Sequence, residues 1–515
     1  MKYTDAFERT VRCHPSKAAF ITDDDRALTY EELGERTTRL ANALNERAAD
    51  RRIATLAVTG PTAIEAMLAS QKRGVGNVQL PFRDSPGAIT SMLRPTEAKV
   101  LLFDDANVEK AVEVLDRTEI NTGIHAGEKA INRDDVEAYE EIVAGSSANP
   151  VEPTPDYEHG VFYTSGTTST PKAVLFDQEQ MWYGSTQVIM EMGLDEGDTA
   201  LVTTPWYHMV TTDAWILPHL QAGATLILQP DFNPEESLRL VKNYDVTGLL
   251  AVPTQLHRLA ETQAVEEYDV TTLSYIRTGG SIVTDRLVQK ASRHLTDGIY
   301  NTYGLTEGGP NLTFAHPSSQ EDHTGTIGKE SFTWEIRVVE IADSEEAFDP
   351  TAVVSPGEAG ELIARGPGMS DGYVDNLGAT KRTYVDGWLR TGDCAEVDED
   401  GYLYIVGRTD NMIVSGGENI YPEEIEDVLE TYEGVKEAAV VGLEDEQWGH
   451  RVACVLYTNG STNFDIDELD RFCKDHDQLA DFKRPRRYEL TTEPLPRTDT
   501  GTLERETIVV KFFDE

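Results

Sequence analysis

The chain has 515 residues, of which 91 are acidic and 45 are basic, so its net charge at pH 7 is −46. A chain of this length exceeds one ordinary hydrophobic core, and we therefore expect at least two domains. Such an acidic surface argues against nonspecific binding of nucleic acid and against docking on anionic lipid.

The acidic residues occur in short runs along the whole chain, for example at residues 22–26 and 398–401. This distribution predicts adaptation of the protein to high salt, because dissolved ions screen the repulsion between surface charges. An ordinary acidic cytosolic protein is the alternative.

Cysteine usage and hydrophobicity predict a protein of the cytoplasm. Cys13, Cys394, Cys454 and Cys473 are far apart and lack the spacing of a zinc site or of a disulfide framework. The first residues lack the apolar core of a signal peptide, and no apolar run approaches the length that spans a bilayer. We therefore expect no integral membrane association.

The larger, N-terminal part of the chain alternates helical and strand patterns, which favours a layered α/β architecture. The predicted elements are, in chain order, a helix at residues 30–47, a strand at 53–58, a helix at 62–72, and strands at 100–103, 199–203, 225–228 and 248–252. Residues 140–157 are polar and rich in proline, serine and glutamate, so we predict that they form a connection.

The pattern changes near residue 407. A predicted strand at residues 401–406 precedes this point, and a helix at 422–429 and strands at 438–441 and 453–457 follow it. These shorter elements predict a small α+β domain. We therefore expect two domains, 1–407 and 408–515.

A segment rich in small hydroxyl residues, residues 163–172, follows a predicted strand end at 161–163 and ends in Lys172. Its backbone N–H groups and hydroxyls can bind phosphate oxygens, and the lysine adds a positive charge. It is not a Walker A loop, because Pro171 precedes the lysine and blocks an early helix. Taken alone, the segment is also compatible with an ordinary surface turn.

Six further motifs follow this loop in the chain: Thr204-Pro-Trp-Tyr-His208, Arg277-Thr-Gly-Gly-Ser281, Asn301-Thr-Tyr-Gly-Leu-Thr-Glu307, Gly387-Trp-Leu-Arg-Thr-Gly-Asp393, Gly407-Arg-Thr-Asp410 and Ser415-Gly-Gly-Glu-Asn-Ile-Tyr-Pro422. In order and spacing, they resemble the adenylate-forming superfamily of acyl-CoA synthetases, luciferases and nonribosomal adenylation domains. The resemblance implies a large multilayer domain of α/β sheets with a small β-barrel region, followed by a small, mobile α+β domain.

The resemblance also implies an activity, that of an ATP-dependent acyl-CoA synthetase. A carboxylate attacks the α-phosphate of ATP and releases pyrophosphate, and CoA then displaces AMP to form a thioester. The implied cofactors are ATP, Mg²⁺ and coenzyme A. The implied substrate is a small carboxylic acid, and the motif at residues 416–422 is more similar to fatty and aromatic acid ligases than to peptide-synthetase domains. A homodimer is one open alternative for the oligomeric state.

The resemblance implies a phosphate and metal site. The phosphate-binding loop consists of Thr164, Ser165, Gly166, Thr167, Thr168, Ser169 and Lys172. Thr306 is expected to contact the α-phosphate, and Glu307 and Thr164 are expected to bind Mg²⁺, which prefers oxygen ligands.

The resemblance further implies sites for adenosine, acid and CoA. The residues expected at adenine, ribose and substrate are Gly279, Gly280, Ser281, Asn301, Tyr303, Gly304, Asp393 and Arg408. Gly416, Gly417 and Glu418 are expected along the CoA channel, and Asp410 at the hinge between the domains. His208 is expected to form the gate of the acyl pocket; a histidine buried in the core is the alternative.

The chain departs from the family pattern near its C-terminus. Residues 495–501 match the lead-in to the family's adenylation lysine, but the next residue is Thr502. Loss of this cation would cost roughly 3–4 kcal/mol of transition-state stabilisation. The alternative function is therefore an adenylation-impaired relative that acts in thioesterification, in acyl transfer to another acceptor, or as a regulatory protein that binds acyl-adenylate. Ser169 and Ala173 also replace usual glycines, and we expect both changes to be mild.

Overall fold

The computed structural model describes residues 1–48, 50–164, 171–262, 265, 267–280, 283–320, 322–342, 348–415, 418–445, 448–458, 464–476, 479–497 and 503–513, and only the backbone of residues 418 and 419. The chain divides into a first compact unit, Met1–Ile336 with Ala364–Arg390, and a second, Arg337–Ile363 with Thr391–Glu515. The division falls inside the strands Glu335–Val339, Gly360–Arg365 and Trp388–Val397. Domains 1–407 and 408–515 therefore stay a prediction, as do the β-barrel region and the mobility of the small domain.

Helices cover both faces of the sheets in the first unit. Its helices are Tyr3–Cys13, Tyr30–Ala48, Pro61–Arg73, Pro86–Leu93, Val108–Arg117, Tyr139–Gly145, Gln178–Met192, Met209–Thr211, Leu217–Ala222, Pro234–Asn243, Pro253–Glu261, Asp285–His294 and Leu377–Thr383, with a π-helical turn at Thr212–Ile216 and 3-10 turns at Arg94–Thr96, Asp105–Asn107, Thr306–Gly308 and Pro317–Ser319. No helix in the described part of the chain is long and apolar enough to cross a membrane.

A seven-stranded sheet lies in the first unit. Its strands are, in spatial order, Val136–Ala138, Thr122–Ala126, Val100–Asp104, Ile53–Leu56, Asn77–Gln79, Glu158–Tyr163 and Ala173–Asp177. Alternate residues of Val100–Asp104 enter two different hydrophobic clusters, because successive side chains of a strand point to opposite faces. The continuous apolar run in this strand therefore reflects burial on both faces of the sheet.

A nine-stranded sheet in the same unit carries the second and third predicted motifs. Its strands are, in spatial order, Lys329–Glu330, Gly309–Ala315, Ile299–Leu305, Tyr275–Gly279, Gly248–Leu250, Thr199–Val202, Thr225–Leu228, Ala18–Thr22 and Ala27–Thr29. Tyr275–Gly279 and Ile299–Leu305 are parallel neighbours. Their carboxyl ends therefore meet at one edge of the sheet, where ligands of open α/β sheets bind.

The π-helical turn Thr212–Ile216 packs against this sheet and lies next to a buried histidine. His219 is fully buried, with Nδ1 2.6 Å from the Trp215 carbonyl oxygen and Nε2 3.0 Å from the Tyr275 hydroxyl. Burial lowers the pKa of His219 to about 4, so the ring is neutral at neutral pH. One ring nitrogen thus donates to a carbonyl and the other accepts from a phenol.

The second unit contains a small sheet covered by helices. Strands Glu418–Ile420, Ile413–Ser415, Gly449–Thr458 and Val435–Asp445 are neighbours in that order, and Arg487–Thr491 pairs with Gly449–Thr458. The strand Leu403–Arg408 pairs with residues 393–397 of Trp388–Val397. The helices of this unit are Pro422–Glu430, Ile466–Asp475 and Arg505–Phe512. The predicted α+β character of this region is therefore confirmed.

The element predictions hold for each helix and strand, with shifts of a few residues at their ends and strands Val435–Asp445 and Gly449–Thr458 several residues longer than predicted. The predicted connection at residues 140–157 is wrong in its first part, because residues 140–145 belong to the helix Tyr139–Gly145. Tyr139, Ile142 and Val143 are buried against the seven-stranded sheet. The surrounding proline and serine residues concealed this short amphipathic pattern.

Candidate active site

The base of the predicted phosphate loop is a closed hairpin. Strands Glu158–Tyr163 and Ala173–Asp177 are antiparallel, with Tyr163 opposite Ala173. The Thr164 N–H donates to the Lys172 carbonyl at 3.0 Å, and the Lys172 N–H donates to the Thr164 hydroxyl at 3.4 Å. These bonds hold the two ends of the loop together, with Thr164 buried and Lys172 half-buried.

Lys172 and Glu307 meet at one tyrosine, although 135 positions separate them in the sequence. The Lys172 ammonium lies 4.9 Å from the centroid of the Tyr373 ring. The Tyr373 hydroxyl donates to Glu307 Oε1 at 2.5 Å. A cation, a phenol and a carboxylate are therefore connected, and this arrangement places the end of the phosphate loop beside the predicted metal ligand.

Tyr373 is itself held on both sides. The N–H of its neighbour Val374 donates to the Ala173 carbonyl at 2.8 Å, and the Ser370 N–H donates to the Glu307 carbonyl at 3.1 Å. Burial, followed by the charge of Glu307, raises the pKa of the Tyr373 hydroxyl. The phenol therefore stays protonated at neutral pH and acts as a donor to the carboxylate.

Thr306 and Glu307 lie at the tip of a tight antiparallel pair. The strands Ile299–Leu305 and Gly309–Ala315 are joined by the 3-10 turn Thr306–Gly308. A Cβ atom on Gly304 would lie 2.5 Å from the Pro310 carbonyl carbon, so glycine permits the close approach of the two strands. Both tip residues are half-buried, which leaves their side chains accessible to a ligand.

Three further predicted adenine-site residues lie near this pair of strands. Asn301 is buried, and its amide donates to the Thr326 carbonyl at 2.9 Å. Tyr303 is half-buried. Gly280, at the end of the neighbouring strand, is exposed, and a Cβ atom there would meet nothing within 4 Å. Open space thus lies beside the carboxyl ends of these strands.

The structure gives Gly279 a different role from Gly280. Its φ is +148°, and a Cβ atom would lie 2.1 Å from the Thr302 carbonyl oxygen. The missing side chain at Gly279 therefore makes room for the neighbouring strand. At Gly280 the corresponding space is open, and the contacts of both glycines with a ligand stay predictions.

His208 is exposed, so the alternative of a histidine satisfied within the core is wrong. Its ring centroid lies 4.4 Å from that of Tyr207, which packs edge-on against Phe82. The surrounding protein atoms, followed by the charge of Arg83, lower the pKa of His208 to about 4. The ring is therefore neutral at neutral pH. Trp206, by contrast, is buried and donates to the Ala57 carbonyl at 2.8 Å.

The predicted ribose pair lies in the second unit. Asp393 and Arg408 face each other across two paired strands, and Arg408 Nη1 donates to Asp393 Oδ1 at 2.7 Å. Arg408 Nε also lies 3.4 Å from the carboxylate of Asp410, which is exposed. The predicted hinge residue is thus in contact with the predicted ribose-binding arginine.

Two cations near position 502 in the sequence are engaged elsewhere. Arg505 Nη2 donates to Glu426 Oε2 at 3.0 Å and to Glu423 Oε1 at 3.1 Å. Arg505 Nη1 donates to the Val440 carbonyl at 2.8 Å. Lys511 is exposed, 3.5 Å from Glu493. Both side chains therefore have carboxylate partners within the second unit.

Several predicted site residues lie outside the described residues. These are Ser165, Gly166, Thr167, Thr168, Ser169, Ser281, Gly416, Gly417 and Thr502, together with the side chain of Glu418. Their roles stay predictions.

Sequence reasoning missed Tyr373, which connects Lys172 to Glu307. The only signal is its place in a glycine-rich segment, residues 366–373. Gly372 in this segment has φ +134°, and a Cβ atom on it would lie 2.4 Å from Thr380 Cγ2. Glycine adopts this positive φ without steric cost, so a glycine directly before a tyrosine indicates a turn that fixes the position of the tyrosine.

The donors in the first unit fit a nucleoside triphosphate with Mg²⁺. Lys172 offers a cation, Thr164 a hydroxyl and Glu307 a carboxylate, and the metal would be held by oxygen atoms alone, as Mg²⁺ prefers. The α/β fold and these residues are those expected of an enzyme that activates its substrate with ATP.

The chain belongs to the AMP-binding enzyme family. The family's model matches residues 7–374, and the model of the AMP-binding enzyme C-terminal domain matches residues 424–502. The chain is 31% identical to the feruloyl-CoA synthase of an Amycolatopsis species over 506 residues, 96% of each chain. It is 28% identical to the indoleacetate–CoA ligase of Aromatoleum aromaticum, over 99% of this chain and 98% of that one.

A solved structure supports the same assignment. The o-succinylbenzoate CoA synthetase of Bacillus subtilis, in complex with its acyl-adenylate intermediate, matches with a TM-score of 0.83 and 25% identity, over 98% of this chain and 97% of that one. The predicted fold class, family and enzyme class, an AMP-forming acid–CoA ligase, are confirmed. The use of ATP and CoA follows from this class.

Proposed function

We propose that this ligase activates an aromatic carboxylic acid as an acyl-adenylate and transfers the acyl group to CoA. The contact of Lys172 and Glu307 with Tyr373 is the observation that supports this activity most directly. It joins the phosphate loop to the expected metal ligand within one unit. The names of the relatives, which act on feruloyl and indoleacetyl groups, favour an aromatic acid over the fatty acid that the motif also allows.

The proposal assigns a task to each described residue of the site. Lys172 and Thr306 stabilise the negative charge that develops on the phosphates during attack by the carboxylate. Glu307 and Thr164 hold Mg²⁺, which supplies further positive charge when it is bound. Gly280, Asn301, Tyr303 and Gly304 border the adenine and the acid.

His208 forms the gate of the acyl pocket in this proposal. It acts by shape and hydrogen bonding, because its lowered pKa keeps the ring neutral and a carboxylate needs no general base. The Tyr207 ring beside it offers an aromatic surface to an aromatic acid.

Asp393 and Arg408 bind the ribose in the proposed complex, and Asp410 serves as the hinge between domains 1–407 and 408–515. After adenylation, residues 416–418 face the pantetheine of CoA. We also propose that the enzyme works in high salt, since its net charge of −46 needs screening. A homodimer stays open.

A second candidate is a protein impaired in adenylation, which transfers an acyl group to another acceptor or binds acyl-adenylate as a regulator. It is favoured by Thr502 together with the engagement of Arg505 by Glu423 and Glu426. A guanidinium shared by two carboxylates is not free to neutralise a carboxylate and a phosphate that approach each other.

The deciding experiment measures acid-dependent release of pyrophosphate from ATP in high KCl, with and without CoA. The acids are cinnamic, arylacetic, benzoic and medium-chain fatty acids. Release with an aromatic acid, together with consumption of CoA, supports the ligase. Release with fatty acids alone refutes the proposed acid class.

Two variants test the site and the choice between the two proposed functions. Glu307→Gln tests the metal ligand, and Thr502→Lys, which restores the missing cation, distinguishes the ligase from the protein impaired in adenylation. If only Thr502→Lys releases pyrophosphate, while the wild type converts supplied acyl-adenylate to acyl-CoA, the impaired relative is the correct assignment. If neither protein acts on any acid or on acyl-adenylate, the proposed activity is wrong.

A further inference from the structure

Arg277 is a cation that is completely buried in the first unit. It lies in the strand Tyr275–Gly279, two residues before Gly279, and its side chain has no exposed area. No carboxylate pairs with it among the residues that the structure describes, and burial lowers its pKa to about 9. A guanidinium that is buried without an opposite charge is unfavourable for folding, and an apolar side chain of similar volume is often tolerated equally well.

The donors of Arg277 instead reach neutral groups on three other segments. Nε donates to the Thr302 hydroxyl at 3.2 Å, and Nη1 donates to the Ala214 carbonyl at 2.9 Å. Nη2 donates to the Pro310 carbonyl at 3.2 Å and to Asn311 Oδ1. The guanidinium also lies 5.3 Å from the centroid of the Phe314 ring.

These acceptors lie on both sides of the turn that carries Thr306 and Glu307. Thr302 belongs to the strand before the turn, and Pro310 and Asn311 belong to the strand after it. The third segment is the π-helical turn Thr212–Ile216, which holds Ala214. One planar fork of donors thus fixes both arms of the turn against a separate element.

We propose that Arg277 is a positioning residue for adenylation, which holds the turn Thr306–Gly308 in the orientation that presents Thr306 and Glu307 to MgATP. The inference rests on the proposed function. Lysine cannot replace it, because a single ammonium lacks the rigid fork that reaches three segments.

The test compares Arg277→Met and Arg277→Lys with Arg73→Met. Arg73 is a matched control, since it is also buried in the first unit, with a pKa lowered to about 10, and donates to the Arg51 carbonyl. Three quantities are measured for each protein: hydrogen–deuterium exchange of the peptide that covers residues 299–315, the affinity for ATP with and without Mg²⁺ by calorimetry, and the urea midpoint.

We expect Arg277→Met to speed exchange in residues 299–315 and to weaken binding of MgATP, each by roughly tenfold, as for the loss of a set of buried hydrogen bonds. Binding of ATP without Mg²⁺ should change less. Arg277→Lys should show the same pattern, because it keeps the charge but loses the fork. Arg73→Met should shift the urea midpoint and leave exchange in 299–315 and the affinity for MgATP unchanged.

The inference is overturned if a folded Arg277→Met protein shows wild-type exchange in residues 299–315 and wild-type affinity for MgATP. If Arg277→Met does not fold, Arg277→Lys decides by the same two readouts. These readouts need no acid substrate. If the wild-type protein binds MgATP but turns over none of the acids, the result counts against the proposed acid chemistry and not against the role of Arg277.

Discussion

The Tyr373 hydroxyl is the group whose removal tests the proposed site most directly. Tyr373→Phe keeps the ring next to Lys172 and removes the bond of the hydroxyl to Glu307 Oε1, which measures 2.5 Å, together with a longer contact of 3.4 Å with the Thr383 hydroxyl. A hydrogen bond to a charged group contributes about 1.5–3 kcal/mol. Because Glu307 is half-buried, we take the lower end of this range. Each 1.36 kcal/mol is a factor of ten in rate, so kcat/KM for MgATP should fall by about tenfold.

The assay is release of pyrophosphate at a fixed, saturating concentration of the acid, with ATP and Mg²⁺ varied separately. The loss should be larger when Mg²⁺ is limiting, since the phenol orients the carboxylate that binds the metal. Tyr373→Leu removes the ring as well, and loss of its contact with Lys172 should cost about a further threefold. The control is Tyr384→Phe, because Tyr384 bonds to the Ser370 hydroxyl at 2.5 Å and to the backbone of Glu307 but not to its carboxylate.

The reasoning is refuted if Tyr373→Phe retains the wild-type kcat/KM for ATP at every concentration of Mg²⁺. It is also refuted if Tyr384→Phe loses as much activity as Tyr373→Phe. The second result would mean that the whole segment, and not the bond to the carboxylate, determines the rate.

Three further predictions address the missing lysine, the buried histidine and the paired glycines. Thr502→Lys should raise kcat for pyrophosphate release by about two decades, and an unchanged rate in single-turnover assays would mean that another cation already serves. Burial lowers the pKa of His219 to about 4 in the folded protein, against about 6.5 in the unfolded chain. The unfolded chain therefore binds a proton first as the pH falls below about 6.5, and the folded state loses stability until the pH reaches about 4. The free energy of unfolding measured with urea should therefore fall by about 2 kcal/mol between about pH 7 and about pH 5, and His219→Gln should lack this fall. Equal falls in the two proteins would contradict the lowered pKa of His219. Gly279→Ala should destabilise the protein by about 1–3 kcal/mol, because its Cβ would overlap the Thr302 carbonyl. Gly280→Ala should cost about 1 kcal/mol, because only its positive φ is unfavourable for alanine. Equal urea midpoints of the two variants would contradict this difference.

The elements were predictable because hydrophobic periodicity reports local burial directly. The strand Thr225–Leu228 has its predicted bounds, and the helix Tyr30–Ala48 is one residue longer than predicted. The helix Tyr139–Gly145 was missed, since a helix of two turns shows too few apolar positions to stand out among polar residues.

The site was only partly predictable, because its chemistry depends on segments that are distant in the sequence. The resemblance to the family predicted that Lys172 and Glu307 belong to a phosphate and metal site, and the structure brings both residues to one tyrosine. Tyr373 has no motif of its own that names a task. The fork of Arg277 could not be predicted from the sequence either, since two of its four acceptors are backbone carbonyls and the other two are side chains 25 and 34 positions away.

The sequence by itself determined the family, the order of the motifs, the acidic surface and the unusual Thr502. These properties depend on residue identity and on local spacing, which folding does not alter. The tertiary structure decided that Gly279 accommodates a neighbouring strand, that Arg505 is engaged by two glutamates, and that Lys172 and Glu307 share Tyr373. Such contacts are set by how strands and turns pack across long stretches of chain, and local periodicity does not identify which distant residues meet.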